Sequence, residues 1–205
     1  EMLWRDWSSD VCSSDLARGA SWLRTALGEA VLPPGFDLVE DPRLPRSGAS
    51  RPFDGEGLPT AARNIVADGV LGGWTLDLAT GRKLGMPSTA SAVRGTSAPP
   101  SPGVSNVTLT PGTVPPAALI RDMGRGLVVT SMLGASVNPT TGDYSRGAAG
   151  FWVEGGEIAF PVNECTIAGN LREMLMRITA ADDLPEWRSH RVPSLMVEGM
   201  TVAGA

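Results

Sequence analysis

The sequence predicts an α+β domain, β-rich, with a large and mainly antiparallel sheet and a few short helices. Two hairpins and an excess of short β-prone runs over helical stripes carry that expectation. In the first hairpin, residues 149–154 (AGFWVE) run apolar, Gly155-Gly156 supplies a turn able to take positive φ, and residues 157–161 (EIAFP) return the chain. The second spans residues 64–77, where Asp68-Gly69 separates two apolar runs. Helical periodicity is confined to the start, the middle and the stretch after Asn170.

Taken in order, residues 21–31 (SWLRTALGEAV) place Trp22, Leu23, Ala26, Leu27 and Ala30 on one stripe, a helix that Pro33-Pro34 ends. Residues 36–40 (FDLVE) read as a strand, and residues 41–60, rich in Pro, Gly, Arg and Ser, as a long loop. After the 64–77 hairpin, residues 88–105 show no apolar periodicity and read as an irregular surface segment carrying Arg94. Residues 106–110 (NVTLT) are a strand. Pro115-Pro116 open a short helix through Met123, and Gly124 ends it. The β-branched run 127–133 (LVVTSML) reads as a buried strand. Asn170 is an N-cap with Glu173 three residues on, and Leu171, Met174, Leu175 and Ile178 define one apolar helix face. Residues 192–203 return to strand material, which needs sheet partners to satisfy its backbone.

A chain of 205 residues with 42% apolar and 19% charged residues is an ordinary globular composition, and one domain is the expectation. It contains no apolar run of the roughly 18 residues that spans a bilayer and no basic-then-apolar leader, so a cytoplasmic chain without a membrane partner is expected. Residues 6–16 (DWSSDVCSSDL) resemble the translation of a sequencing adapter. Residues 1–16 are therefore set aside as foreign, natural sequence starts at Ala17, and residues 17–205 are read as one domain of a longer protein. The foreign segment holds four acids and one base, a net of −3, so the formal charge of −5 becomes −2. A weakly acidic surface without Lys/Arg clusters excludes direct nucleic-acid binding from the expected functions. Setting Cys12 aside leaves Cys165 alone, with no intrachain disulfide and a reducing compartment expected.

The run 142–171, GDYSRGAAGFWVEGGEIAFPVNECTIAGNL, resembles the C-terminal signature of the PmbA/TldD family, in its PmbA (TldE) branch. Asp41-Pro42, residues 50–57 (SRPFDGEG), 68–74 (DGVLGGW) and 82–89 (RKLGMPST) stand in the order the family shows, so the resemblance covers roughly 20–205. It implies a β-rich C-terminal domain. It also implies a metallopeptidase context: the TldD branch carries a zinc-binding HExxxH helix and a Cys ligand near its end, whereas PmbA/TldE members lack the motif and pair with TldD. This chain has one histidine and no HExxxH. The adapter join lies where the upstream motif would be, so its absence alone does not decide the branch; the DYSRGA, GFW and TIAGNL details do.

The leading expectation is a non-catalytic half of a heterodimeric metallopeptidase acting on peptides or partly unfolded chains. It has no catalytic or metal residue of its own, and zinc sits only in a TldD-type partner. Two rivals stand beside it: a fragment of a catalytic TldD-like enzyme whose HExxxH was lost upstream, and a stand-alone peptide-binding or regulatory module using an exposed sheet edge. Interface or peptide-binding candidates are Tyr144, Ser145 and Arg146, polar groups between glycines beside a strand whose competing reading is a backbone turn clamp, and the acid pair Asp54 and Glu56, whose competing reading is turn formation. Phe151 and Trp152 are expected on an inner sheet face. His190 reads as an exposed loop residue and Cys165 as a buried structural thiol among apolar neighbours. Asn106-Val107-Thr108 matches a glycosylation sequon of little weight without an export signal, and Gly72-Gly73 and residues 142–150 lack the Lys and helix of a phosphate loop.

Overall fold

The computed structural model describes residue 21 and residues 23–204. Their elements in chain order are β1 (Leu38–Glu40), β2 (Arg63–Ala67), β3 (Val70–Leu71), α1 (Leu78–Leu84), β4 (Ala92–Val93), β5 (Ser101–Pro102), β6 (Val107–Leu109) and α2 (Pro116–Met123). They continue with β7 (Arg125–Val137), β8 (Asp143–Glu154), β9 (Glu157–Asn170), α3 (Leu171–Met176), β10 (Ile178–Ala180), β11 (His190–Arg191), β12 (Leu195–Val197) and β13 (Thr201–Ala203). The fold is thus β-rich α+β, with mainly antiparallel sheets and short helices. The described residues form two compact units, one from residues up to 110 together with 185–192, the other from 111–184 together with 193–204.

In the first unit a five-stranded sheet runs β11-β6-β1-β2-β3. Only β11 is parallel to its neighbour, pairing His190 with Val107 and Arg191 with Thr108. Leu38, Ile65, Val66, Leu71 and Val107 are fully buried in its core. The β2–β3 hairpin turns where expected, with Asp68 at φ 48° and Gly69 at φ 78°, the two successive positive angles of a type I′ turn. It is shorter than the predicted 64–77. The strand ends at Leu71, and Asp77 instead caps α1, its Oδ1 accepting from the Thr80 amide at 2.7 Å. Gly85, at φ 68°, closes that helix in a left-handed cap.

Two further expectations are corrected here. Residues 23–31 are turns, not a helix: the Gly28 amide donates to Leu71 O and the Leu71 amide to Glu29 O, so the segment runs beside β3 and bridges Ala30 to Val70. Strand-like pairing with an open sheet edge outcompetes a helix interrupted by Gly28; Trp22 lies outside the described residues. Residues 88–105 are an irregular surface segment only in part: 94–99, with Arg94, are exposed and outside any strand, but β4 and β5 pair antiparallel and Ser91, Ala92 and Ser105 are buried. The loop at 41–60 stands as predicted, with only a Phe53–Pro59 bridge within it.

The second unit is a meander. Its four-stranded sheet runs β13-β9-β8-β7, and β10 and β12 form a separate pair. The β8–β9 hairpin turns at Gly155 (φ 59°) and Gly156 (φ 80°), as the dipeptide predicts, but its strands run on to Asp143 and Asn170. Gly150 lets β7 and β8 approach, since a Cβ there would overlap the Val128 carbonyl. Glu164, at φ 58°, sits in a bulge that shifts the β8–β9 register between Ala148 and Gly150. Pro115 and Gly124 bound α2 as expected. The run 127–133 is a strand but not a buried one: β7 is a sheet edge and Leu133 is 65% exposed. Asn170 caps α3 by accepting from the Arg172 amide, and Leu171, Met174 and Leu175 are buried. Ile178, placed on the same helix by periodicity, belongs to β10. The helix ends at Met176, and the β-branched Ile178-Thr179 pair enters a strand against Met196 and Val197.

Candidate functional site

The sequence candidates fall in different units, Asp54 and Glu56 in the first and Tyr144, Ser145 and Arg146 in the second. In the first unit both acids serve the backbone. Asp54 is 4% exposed; its Oδ1 accepts from the Glu56 and Leu58 amides at 2.9 Å each, and its Oδ2 from the Ala92 amide at 3.1 Å. It therefore folds its own Gly-rich turn and ties it to β4. Glu56 reaches the first turn of α1, where Oε2 accepts from the Leu78 amide at 2.9 Å. That satisfies a donor no intrahelical carbonyl can reach and places negative charge at the positive helix end.

Beside them lies a buried network that sequence reasoning missed. Glu40 is 3% exposed; its Oε1 accepts from the Ser105 amide (2.7 Å) and hydroxyl (3.0 Å), and its Oε2 from Arg63 Nε (2.9 Å). The guanidinium completes its fork on Trp74 O and Thr75 Oγ1, both at 2.9 Å. Partners 23 and 65 residues away leave no local pattern to find. Asn106 is similar: its Nδ2 donates to Asp41 O and Ser50 Oγ, and its Oδ1 accepts from Ser47 Oγ. With that amide buried and fully engaged, the sequon has a structural use.

In the second unit, Tyr144 is 2% exposed, its hydroxyl on Met132 Sδ at 3.4 Å, so it belongs to the sheet's buried face and not to a contact surface. Ser145 is half-buried in the centre of the ladder, between Ala168 and Ser136. Arg146 is half-buried too, and its Nε donates to Gly134 O at 2.7 Å, clamping β7 where the register shifts between Leu133 and Ser136. Phe151 is 39% exposed and so not on an inner face. Trp152 is half-buried, with the Arg125 guanidinium 5.6 Å from its ring centroid and its Nε1 on Glu154.

At the far end of the hairpin the signature residues lock one another. Asp143 accepts from Thr141 Oγ1 at 2.7 Å and from Asn170 Nδ2 at 3.2 Å, and the Thr141 hydroxyl, then Asn170, hold its carboxyl below the ordinary 3.8. Asn170 thereby joins this loop to the start of α3, whose Leu171 amide donates to Gly142 O.

Zinc needs three or four converging N, S or O donors. Among the described residues no group of three or more His, Cys, Asp and Glu side chains converges in this way. Cys165 is buried in β9, 1% exposed, its thiol turned to Ala148 O, as a structural thiol should be. His190 is half-buried on β11, in a strand and not in the exposed loop expected of it.

The likeness to known proteins extends beyond this hairpin over nearly the whole chain. The sequence profile of the PmbA/TldA metallopeptidase C-terminal domain matches residues 3–204. The chain belongs to that family. The match takes in residues 3–16, which the sequence reading set aside and which lie outside the described residues. A Haemophilus influenzae relative, "Metalloprotease PmbA homolog", is 43% identical over 196 residues, 95% of this chain and 42% of its own length. The "Metalloprotease TldD homolog" of the same organism is 27% identical over 175 residues, 84% of this chain and 36% of its own. A Bacteroides thetaiotaomicron crystal structure, described as a candidate modulator of DNA gyrase, superimposes with a TM-score of 0.88 at 30% identity, covering 100% of this chain and 44% of that one. The chain thus spans about two fifths of the length of the curated relatives it matches. No helix among the described residues is long and apolar enough to cross a membrane.

Proposed function

We propose that this chain is the C-terminal domain of a PmbA/TldE-type subunit, non-catalytic itself, that pairs with a zinc-bearing TldD-type subunit to cleave peptides or partly unfolded chains in the cytoplasm. The observation that carries the reading is the identity contrast within one organism, 43% to the PmbA homologue against 27% to the TldD homologue. The site chemistry agrees with it. The candidate acids of the first unit are bound to backbone amides, and the one described thiol is turned into the sheet. Zinc, where present, would supply the Lewis acid and the activated water from the partner's side.

The test is to purify the protein as its gene encodes it, alone and with a TldD-type subunit, and to measure bound zinc and cleavage of an unstructured peptide. The expected result is that cleavage and stoichiometric zinc accompany the pair and not this subunit alone. One tightly held zinc per chain together with cleavage by the isolated protein would overturn the proposal.

A further inference from the structure

The four-stranded sheet of the second unit has two unlike faces. On one, Tyr144, Ala148, Cys165 and Ile167 are buried. The other carries the alternate residues of β8, from Ser145 to Phe151, and their partners across the ladder. At the hairpin tip this second face is covered, since a Cβ on Gly126, opposite Val153, would meet Met123 of α2. Beyond the tip it is open: Leu133 is 65% and Phe151 39% exposed, and Thr166, opposite Gly147, is exposed. No described side chain registered across the rows of Ser145, Gly147, Ala149 and Phe151 is charged; Arg146 points to the other face, and the acid of β9 in this stretch, Glu164, is displaced into a bulge. A solvated antiparallel face ordinarily alternates to polar and charged residues.

We infer that this open face is where the TldD-type subunit docks, sheet against sheet; the inference rests on the pairing proposed above. Three observations choose the occupant. The missing charges call for an apolar, uncharged partner surface, because an ion buried against this face would lack a counter-charge. Small residues at Gly147, Ala149 and Ala168 form a shallow floor beside the projecting Leu133 and Phe151, a relief that a related sheet can match. The TldD homologue aligns over 84% of this chain and so carries the corresponding sheet. Size argues against a second copy of this chain alone: a stable interface takes some 20–30 residues per partner, more than the rows of Ser145, Gly147, Ala149 and Phe151 contain. That suits the centre of a contact between two longer subunits.

The experiment uses the gene-encoded protein with a TldD-type subunit and measures their affinity for Leu133→Glu, Ala149→Arg and a control, Trp187→Ala, at a residue 83% exposed in the first unit. Thermal midpoints check that each variant folds; Leu133, already in solvent, is the variant least able to disturb the fold. The face variants should weaken pairing by roughly tenfold or more, and the control should leave it unchanged. Pairing within about twofold of wild type for both face variants would overturn this inference while leaving the partnership intact. A wild-type protein that does not pair would overturn both. Self-association abolished by the same variants would show a second copy to be the occupant, and the choice made here to be wrong.

Discussion

The two units are held by different means. The first places short strands around long loops and ties them with buried polar side chains that reach across the sequence: Glu40 to Arg63 and Ser105, Asp54 to Ala92, Asn106 to Ser50. The second is a meander whose strands β7, β8 and β9 follow one another and satisfy each other through the backbone ladder. A single side chain therefore counts for much in the first unit and for little in the second, where cohesion is spread over many equivalent amide bonds.

The strongest attempt to break this contrast is Glu40→Ala. It strands the Arg63 guanidinium and the Ser105 amide inside the first unit, and unfolding by denaturant should show a loss of about 3–5 kcal/mol. A loss below about 1 kcal/mol would mean that the unit does not depend on its polar ties. Arg146→Ala sharpens the contrast from the other side. It removes one charge-assisted bond to Gly134 from a half-exposed arginine, so the loss should be about 1 kcal/mol and the meander should persist by circular dichroism. A variant that fails to fold would make Arg146 indispensable to β7.

The smallest effect expected is that of Asp143. Its folded-state carboxyl titrates below the ordinary 3.8, so its contribution is complete above that value and is lost as the pH falls through the lower, folded one. Asp143→Asn should lower neutral stability slightly and flatten the acid limb by the same small amount, so that variant and wild type converge at low pH. An unaltered acid limb would show that the Thr141 and Asn170 contacts do not form in solution.

The same contrast explains what the sequence made legible. Turns announce themselves locally, so Asp68-Gly69, Gly155-Gly156 and the Pro115-to-Gly124 helix were readable from neighbouring residues. Asp77 and Gly85 were equally local signals of α1, obscured because the apolar run before them was read as one long strand. The stripe at residues 21–31 misled because an open edge at β3 lay within reach, and periodicity does not register a competing partner. Burial is a property of the assembled sheet, so neither the exposure of Leu133 nor the burial of Tyr144 follows from residue type. The candidate site was legible as a family signature. That its residues mostly build the hairpin emerges only from their partners: Arg146 on Gly134 and Asn170 on Asp143.

The parallel strand β11 sets an order on how the molecule comes into being. Residues up to 110 emerge from the ribosome long before residues 185–192, yet the outer edge of β6 is completed only when Ser189 O accepts the Val107 amide and His190 and Arg191 align beside it. During synthesis that edge waits, open to pairing with any extended chain nearby, while β7, β8 and β9 are made and pair through their own local contacts. The first unit is begun first but sealed only after β7, β8 and β9 have been made, so a nascent chain stopped short of residue 190 would carry those three paired strands and an unsealed β6 edge.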